Sequence, residues 1–158
     1  MRAIQVTVCG GPEQLVLGER ADRQPGDGEI AVDVAASGVN FIDVYHREGR
    51  YPMTLPFVPG LEGAGTVTAI GAGVSGVQPG DRVVWATAQG SYAERHVLPA
   101  AGALPVPPEM DLKDAAALAL QAMTVHMLVA DVWPLAPGQT ALVHAAAGGV
   151  GLLLCAAA

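Results

Sequence analysis

Glycine and proline punctuate the first two-thirds of this chain at short intervals, which leaves room for little but short strands. Turn signals stand at Gly10-Gly11-Pro12, Gln24-Pro25-Gly26-Asp27-Gly28, Gly71-Ala72-Gly73 and Gln78-Pro79-Gly80-Asp81. With 20 Gly and 12 Pro in 158 residues, long helices are disfavoured across residues 1–105. The intervals predict strands over Ala3–Val8, Leu15–Gly18, Glu29–Ser37, Gly63–Ile70, Asp81–Ala86 and Ser91–Val97. A helix over Asn40–Arg47 interrupts them, with Asn40 as N-cap and Asp43 near the positive end of the helix dipole. Short strands with this punctuation predict a small barrel or sandwich.

The pattern changes after Leu104-Pro105-Val106-Pro107-Pro108, a stiff connector. Asp111 can cap a helix through Leu112–Leu120, and a second helical stretch is expected over Thr124–Val132, stopped by Pro134 and Pro137-Gly138. Thr140–His144 then reads as a short apolar strand, Ala145–Gly151 as a glycine-rich turn, and Leu152–Cys155 as the opening of a helix. Strand, glycine turn and helix N-terminus can hold a dinucleotide pyrophosphate on backbone N–H groups. Against the strict Gly-x-Gly-x-x-Gly pattern this chain has Ala146-x-Gly148-x-x-Gly151, with alanine in place of the first glycine. Taken alone, the turn fits a nucleotide site or an ordinary tight connection equally well.

Composition excludes some partners. A hydrophobic fraction of 51% supports a real core, whereas a net charge of −7 with 8 basic residues opposes nucleic-acid and anionic-membrane binding. Leu142–Ala158 is apolar, but His144 and three glycines interrupt it, so no membrane span is expected there. Cys9 and Cys155 lie far apart, and the first residues lack a signal-like apolar run, so a reducing, cytoplasmic location is expected. His46, His96, His126 and His144 show no metal-ligand spacing; His144 precedes the glycine turn and could help fix it. Gly73-Val74-Ser75-Gly76-Val77 lacks the context of a serine-hydrolase elbow.

Five segments in order carry a more specific signal. They are Gly38-Val39-Asn40-Phe41-Ile42-Asp43, Gly49-Arg50-Tyr51-Pro52, Pro59-Gly60-Leu61-Glu62-Gly63-Ala64-Gly65-Thr66-Val67, Val77-Gln78-Pro79-Gly80-Asp81-Arg82-Val83 and His144-Ala145-Ala146-Ala147-Gly148-Gly149-Val150-Gly151. Together they closely resemble the quinone oxidoreductase (zeta-crystallin-like) branch of the medium-chain dehydrogenase/reductase superfamily. The resemblance implies a mainly β chain with helices. A GroES-like substrate and catalytic domain is expected over residues 1–122. Over residues 123–158 it implies a linker helix and the first βα unit of a truncated Rossmann domain that binds NAD(P).

The implied reaction is zinc-independent hydride transfer from NADPH to a quinone or another small conjugated carbonyl, in a full-length homodimer, with this chain inactive alone. A zinc-free enoyl reductase and a non-catalytic GroES-like barrel module are the alternatives. Zinc alcohol dehydrogenases of the superfamily carry Cys and His where this chain has Asn40 and Leu61, and Leu61 cannot bind a metal. Asn40 matches the position that contacts the nicotinamide end of the cofactor, or it simply caps its helix. Tyr45 and Tyr51 match aromatic positions of the active-site cleft, with half-buried structural tyrosines as the alternative. Tyr51 is expected to hydrogen-bond the acceptor oxygen. Thr124 and Val125 match nicotinamide contacts at the start of the linker helix, and Gly148, Gly149, Val150 and Gly151 match the pyrophosphate turn. Glu62 is expected to be structural, and Asp81 and Arg82 to form a salt bridge in a barrel turn.

Overall fold

The computed structural model describes residues 1–157 and divides into two compact units, Met1–Ala117 and the chain from Leu118 onward. The expected second segment ends at Ala158, which lies outside the described residues.

The first unit is β-rich. β1 (Arg2–Gln5) pairs antiparallel with β2 (Val16–Glu19). A five-stranded antiparallel sheet follows, built from β3 (Glu29–Gly38), β4 (Glu62–Ile70), β5 (Arg82–Trp85), β6 (Arg95–Pro99) and β7 (Leu104–Pro105) in the order β6-β3-β4-β5-β7. Bridges Ala3↔Ala93 and Val6↔Phe57 tie the β1 segment to this body. The core is Ile30, Val32, Val67, Val83, Trp85 and Leu98, projecting from four strands onto one another.

The turns close as their residues require. In Gln78–Asp81, Pro79 and Gly80 (φ +95°) occupy the central positions, and Asp81 N–H bonds Gln78 O at 3.1 Å. Asp81 Oδ2 accepts from Gln78 N–H at 2.8 Å and takes no part in a salt bridge with Arg82. The Arg82 guanidinium instead donates to the carbonyls of Pro107, Pro108 and Met110. The expected Asp81–Arg82 pair is therefore replaced by a clamp on the proline-rich connector, whose carbonyls have no strand partner.

Ser91–Val97 was expected as one strand, but β6 begins only at Arg95. Residues 91 and 92 turn aside to bond Gly60 O and Pro59 O, both at 3.1 Å. β7 falls in the stretch read as a connector; it is two residues long and pairs with Val83 and Val84.

The helices also differ from expectation. α2 (Leu112–His126) runs without a break through residues 121–123 and continues as π-helical turns over Met127–Val132. Gln121, Ala122 and Met123 are good helix formers, so nothing there ends the helix. Its N-terminus is capped as predicted, with Asp111 Oδ1 accepting from Lys113 N–H at 2.7 Å. The 21 residues Leu112–Val132 are long and apolar enough, by length and composition, to cross a membrane. Thr140–His144 is not a strand: residues 140–143 form no regular element and His144 opens a turn. A strand needs a neighbour for its N–H and C=O groups, and the described residues of this unit supply none. α3 (Gly149–Ala157) follows the turn.

Candidate active site

In the first unit, α1 (Phe41–Glu48) carries the expected residues Asn40 and Tyr45 and positions Tyr51. Asn40 sits at the N-cap in extended backbone (φ −125°, ψ 151°). Its N–H donates to Asp43 Oδ2 at 3.0 Å, the return half of a capping box. Its side-chain Nδ2 donates to Glu62 Oε2 at 2.7 Å. The backbone N–H and the side-chain amide of Asn40 thus donate to two different carboxylates.

Glu62 is fully buried at the start of β4. Gly38 makes room for it: a Cβ there would collide with Glu62 Oε2 and stand 2.6 Å from the Ala116 carbonyl. Asp43 is also buried. Its Oδ2 accepts a second bond, from Tyr92 OH at 2.9 Å, while Oδ1 has no partner among the described residues. Burial first, then the Asp43 carboxylate, raises the Tyr92 phenol well above its ordinary value, so it stays protonated and donating. Tyr92 was absent from the sequence reading. It lies 49 residues from Asp43, and no local pattern joins the two. The one signal available was Gly60 (φ +92°), where a Cβ would collide with Ser91 Oγ and the Tyr92 ring.

α1 ends at Gly49, in the left-handed region at φ +77°. The reversal lets Arg50 N–H and Tyr51 N–H bond back to Tyr45 O, at 2.9 and 3.3 Å. It also brings the Tyr51 ring edge-on to Tyr45, with centroids 5.4 Å apart. Phe41 packs edge-on against the same tyrosine at 5.3 Å, and the Arg50 guanidinium lies 5.4 Å from its ring centroid. Tyr51 and Phe41 are exposed, and Phe41 directly follows Asn40, so aromatic surface begins beside the partly buried Asn40–Glu62 bond. His46 is buried on α1 with its ring 6.1 Å from Tyr51.

The remaining expected residues belong to the second unit. Thr124 and Val125 lie in the last turn of α2, not at a helix start, because α2 is continuous. Thr124 Oγ1 donates back to Leu120 O at 2.8 Å, and Val125 is buried. Gly148–Gly151 form the end of the turn and the first residues of α3. Leu152 N–H bonds Gly148 O at 2.8 Å, so the amides of Gly149, Val150 and Gly151 precede the first intrahelical bond. A Cβ at Gly151 would collide with the Ala145 carbonyl, so only glycine lets the turn close onto the helix. These donors and this closure fit a pyrophosphate. The alanine-containing turn holds Ala145 at φ +52°, a conformation that ordinarily favours glycine. His144 begins this turn and lines an apolar groove of about 240 Å³ with Leu128, Trp133 and Leu142.

Metal chemistry is the remaining question. Asn40 presents an NH2 donor to Glu62, and Leu61 beside it has no donor atom for a metal. Among the described residues no group of three or more His, Cys, Asp or Glu side chains is placed to hold an ion.

A model of the alcohol dehydrogenase GroES-like domain matches residues 26–108, more than half of the chain. The chain belongs to this family. The first unit is accordingly a GroES-like barrel, and the glycine turn and α3 are the start of a Rossmann-type domain. Over nearly its whole length the chain is similar to quinone oxidoreductases. It is 43% identical over 156 residues to a quinone oxidoreductase of Pseudomonas aeruginosa, covering 98% of this chain and 48% of that one. The crystal structure of Escherichia coli quinone oxidoreductase complexed with NADPH superposes with a TM-score of 0.96 at 41% identity, over 98% of this chain and 48% of that one. A mycobacterial protein complexed with NADPH gives 0.94 at 47%, with the same coverage. The chain thus spans about half the length of the relatives it matches.

Proposed function

We propose that this chain supplies the substrate-side barrel and the first part of the cofactor site of an NADPH-dependent oxidoreductase that reduces a quinone or another conjugated carbonyl without zinc. The observation that carries this reading is the partly buried amide donor of Asn40, at the N-cap of α1, together with the Tyr45–Tyr51 ring pair, of which Tyr51 is exposed. NADPH, when bound, supplies the hydride, and one proton completes the reduced product.

Tyr45 and Tyr51 offer ring faces and edges to a flat acceptor. The Tyr51 hydroxyl is the group to donate where negative charge develops on the acceptor oxygen. Asn40 orients the nicotinamide end, Thr124 and Val125 contact the same end, and Gly148–Gly151 hold the pyrophosphate. Zinc independence is supported by donor chemistry: the motif position of the zinc-binding thiolate holds an amide nitrogen already given to Glu62. Exposed Cys9 and Cys155 thiols support a reducing, cytoplasmic location.

Oxidation of NADPH with quinones, enones and enoyl thioesters in the full-length protein tests the reading. Quinones or enones should turn over fastest, and Tyr51→Phe should slow turnover by about tenfold or more. An unchanged Tyr51→Phe rate removes Tyr51 from the mechanism, and preference for the thioester identifies an enoyl reductase.

A further inference from the structure

The Asn40 side chain is held in place by Glu62, but Glu62 does not fix where the N-cap itself sits. That is set by Asp43, through the bond from Asn40 N–H. Asp43 is in turn tied to a distant part of the barrel by the single hydroxyl of Tyr92. The tie is built into the fold at both ends. Ser91 and Tyr92 amides bond the Gly60 and Pro59 carbonyls, and Ile4 N–H bonds Tyr92 O at 2.8 Å. The ring lies over Gly60 in space that a Cβ would fill. The run Tyr92 OH to Asp43 Oδ2, Asn40 N to Asp43 Oδ2, and Asn40 Nδ2 to Glu62 Oε2 therefore links three strands or loops to one side-chain amide. Asp43 and Glu62 are buried and Asn40 and Tyr92 partly so, which shields these bonds from competing water.

We propose that Tyr92 and Asp43 are positioning residues for Asn40: they fix the angle at which α1 leaves its N-cap and so aim the Asn40 amide. The proposal rests on the reading of Asn40 as the contact to the nicotinamide end. Neither Tyr92 nor Asp43 needs to touch cofactor or substrate. The Tyr92 phenol, raised by burial and by the Asp43 carboxylate, keeps its proton and remains a donor to Asp43 Oδ2. Small displacements of an orienting group lower turnover steeply, while binding held elsewhere is spared.

Asn40 is the only asparagine in the sequence, so labelling with 15N-asparagine gives one side-chain amide pair to follow by NMR. Tyr92→Phe keeps the ring over Gly60 and removes only the hydroxyl. In this chain, Tyr92→Phe is expected to shift the Asn40 amide pair and speed its exchange with solvent, with the Trp85 indole signal unmoved. In the full-length protein the same change is expected to lower kcat about tenfold, with the KM for NADPH changed less than about twofold. Asp43→Asn, which still offers an oxygen, should leave the amide pair nearer its original position than Asp43→Ala does. An Asn40 pair unmoved by Tyr92→Phe overturns the proposal, as does a pair that moves only together with the Trp85 indole, or an unchanged kcat. A wild-type protein that fails to oxidise NADPH with any quinone or enone sinks the functional reading instead; the labelled amide then decides the positioning claim by itself.

Discussion

Trp85 and Trp133 mark the contrast between the two units. Trp85 is 1% exposed, at the centre of a cluster drawn from four strands. Trp133 is 67% exposed, at the end of the π-helical turns, and nearby Leu142 is 84% exposed. The barrel closes its strands and its core within residues 1–117. The second unit presents a glycine turn and a helix N-terminus, while among the described residues the segment 140–144 pairs with no strand and Trp133, Leu142 and Leu152 are exposed. The difference shows that a β-barrel can satisfy its backbone from a short contiguous sequence, whereas a parallel α/β layer cannot begin with one strand.

The largest expected effect separates the units directly. Trp85→Ala should destabilise the barrel by about 4 kcal/mol, read from urea unfolding, whereas Trp133→Ala should change it by less than about 0.5 kcal/mol. Similar losses at both positions would erase the distinction.

A second difference lies in pH. Burial lowers His96 from its usual 6.5 to about 4, and its Nε2 has no partner among the described residues. Between those values the unfolded chain binds more protons than the folded barrel. Stability is therefore complete above pH ~6.5 and falls as pH drops toward ~4, by roughly 3 kcal/mol. His96→Phe should flatten that slope in a pH series of unfolding midpoints.

Much of the barrel was legible because its turns are local. Pro79-Gly80 sets a turn type, Asn40 with Asp43 three residues on sets a helix start, and Gly49 sets its end. The misreadings are non-local. β6 loses its first residues to bonds with Pro59 and Gly60, and Arg82 turns to the connector carbonyls. Tyr92 enters the site through a contact 49 residues away. Thr140–His144 was expected as a strand and is none, because an apolar pattern cannot provide a partner.

Two smaller effects sharpen the comparison further. Gly49→Ala forces a side chain into the left-handed region and toward Cys9 Sγ, so it should cost the barrel about 1–2 kcal/mol. It should also loosen Tyr51 from Tyr45, seen as a change in tyrosine fluorescence anisotropy. Ala145→Gly relieves the opposite mismatch in the second unit. It should stabilise the turn by about 1 kcal/mol, measured as roughly fivefold slower amide exchange in α3 with barrel exchange unaltered.

The most direct test of the central claim is quinone-dependent NADPH oxidation by the full-length protein before and after exhaustive chelation. Unchanged turnover with a substoichiometric zinc content is the predicted result. Loss of turnover on chelation, restored by added Zn²⁺, would contradict an active site built on Asn40 and the tyrosine pair.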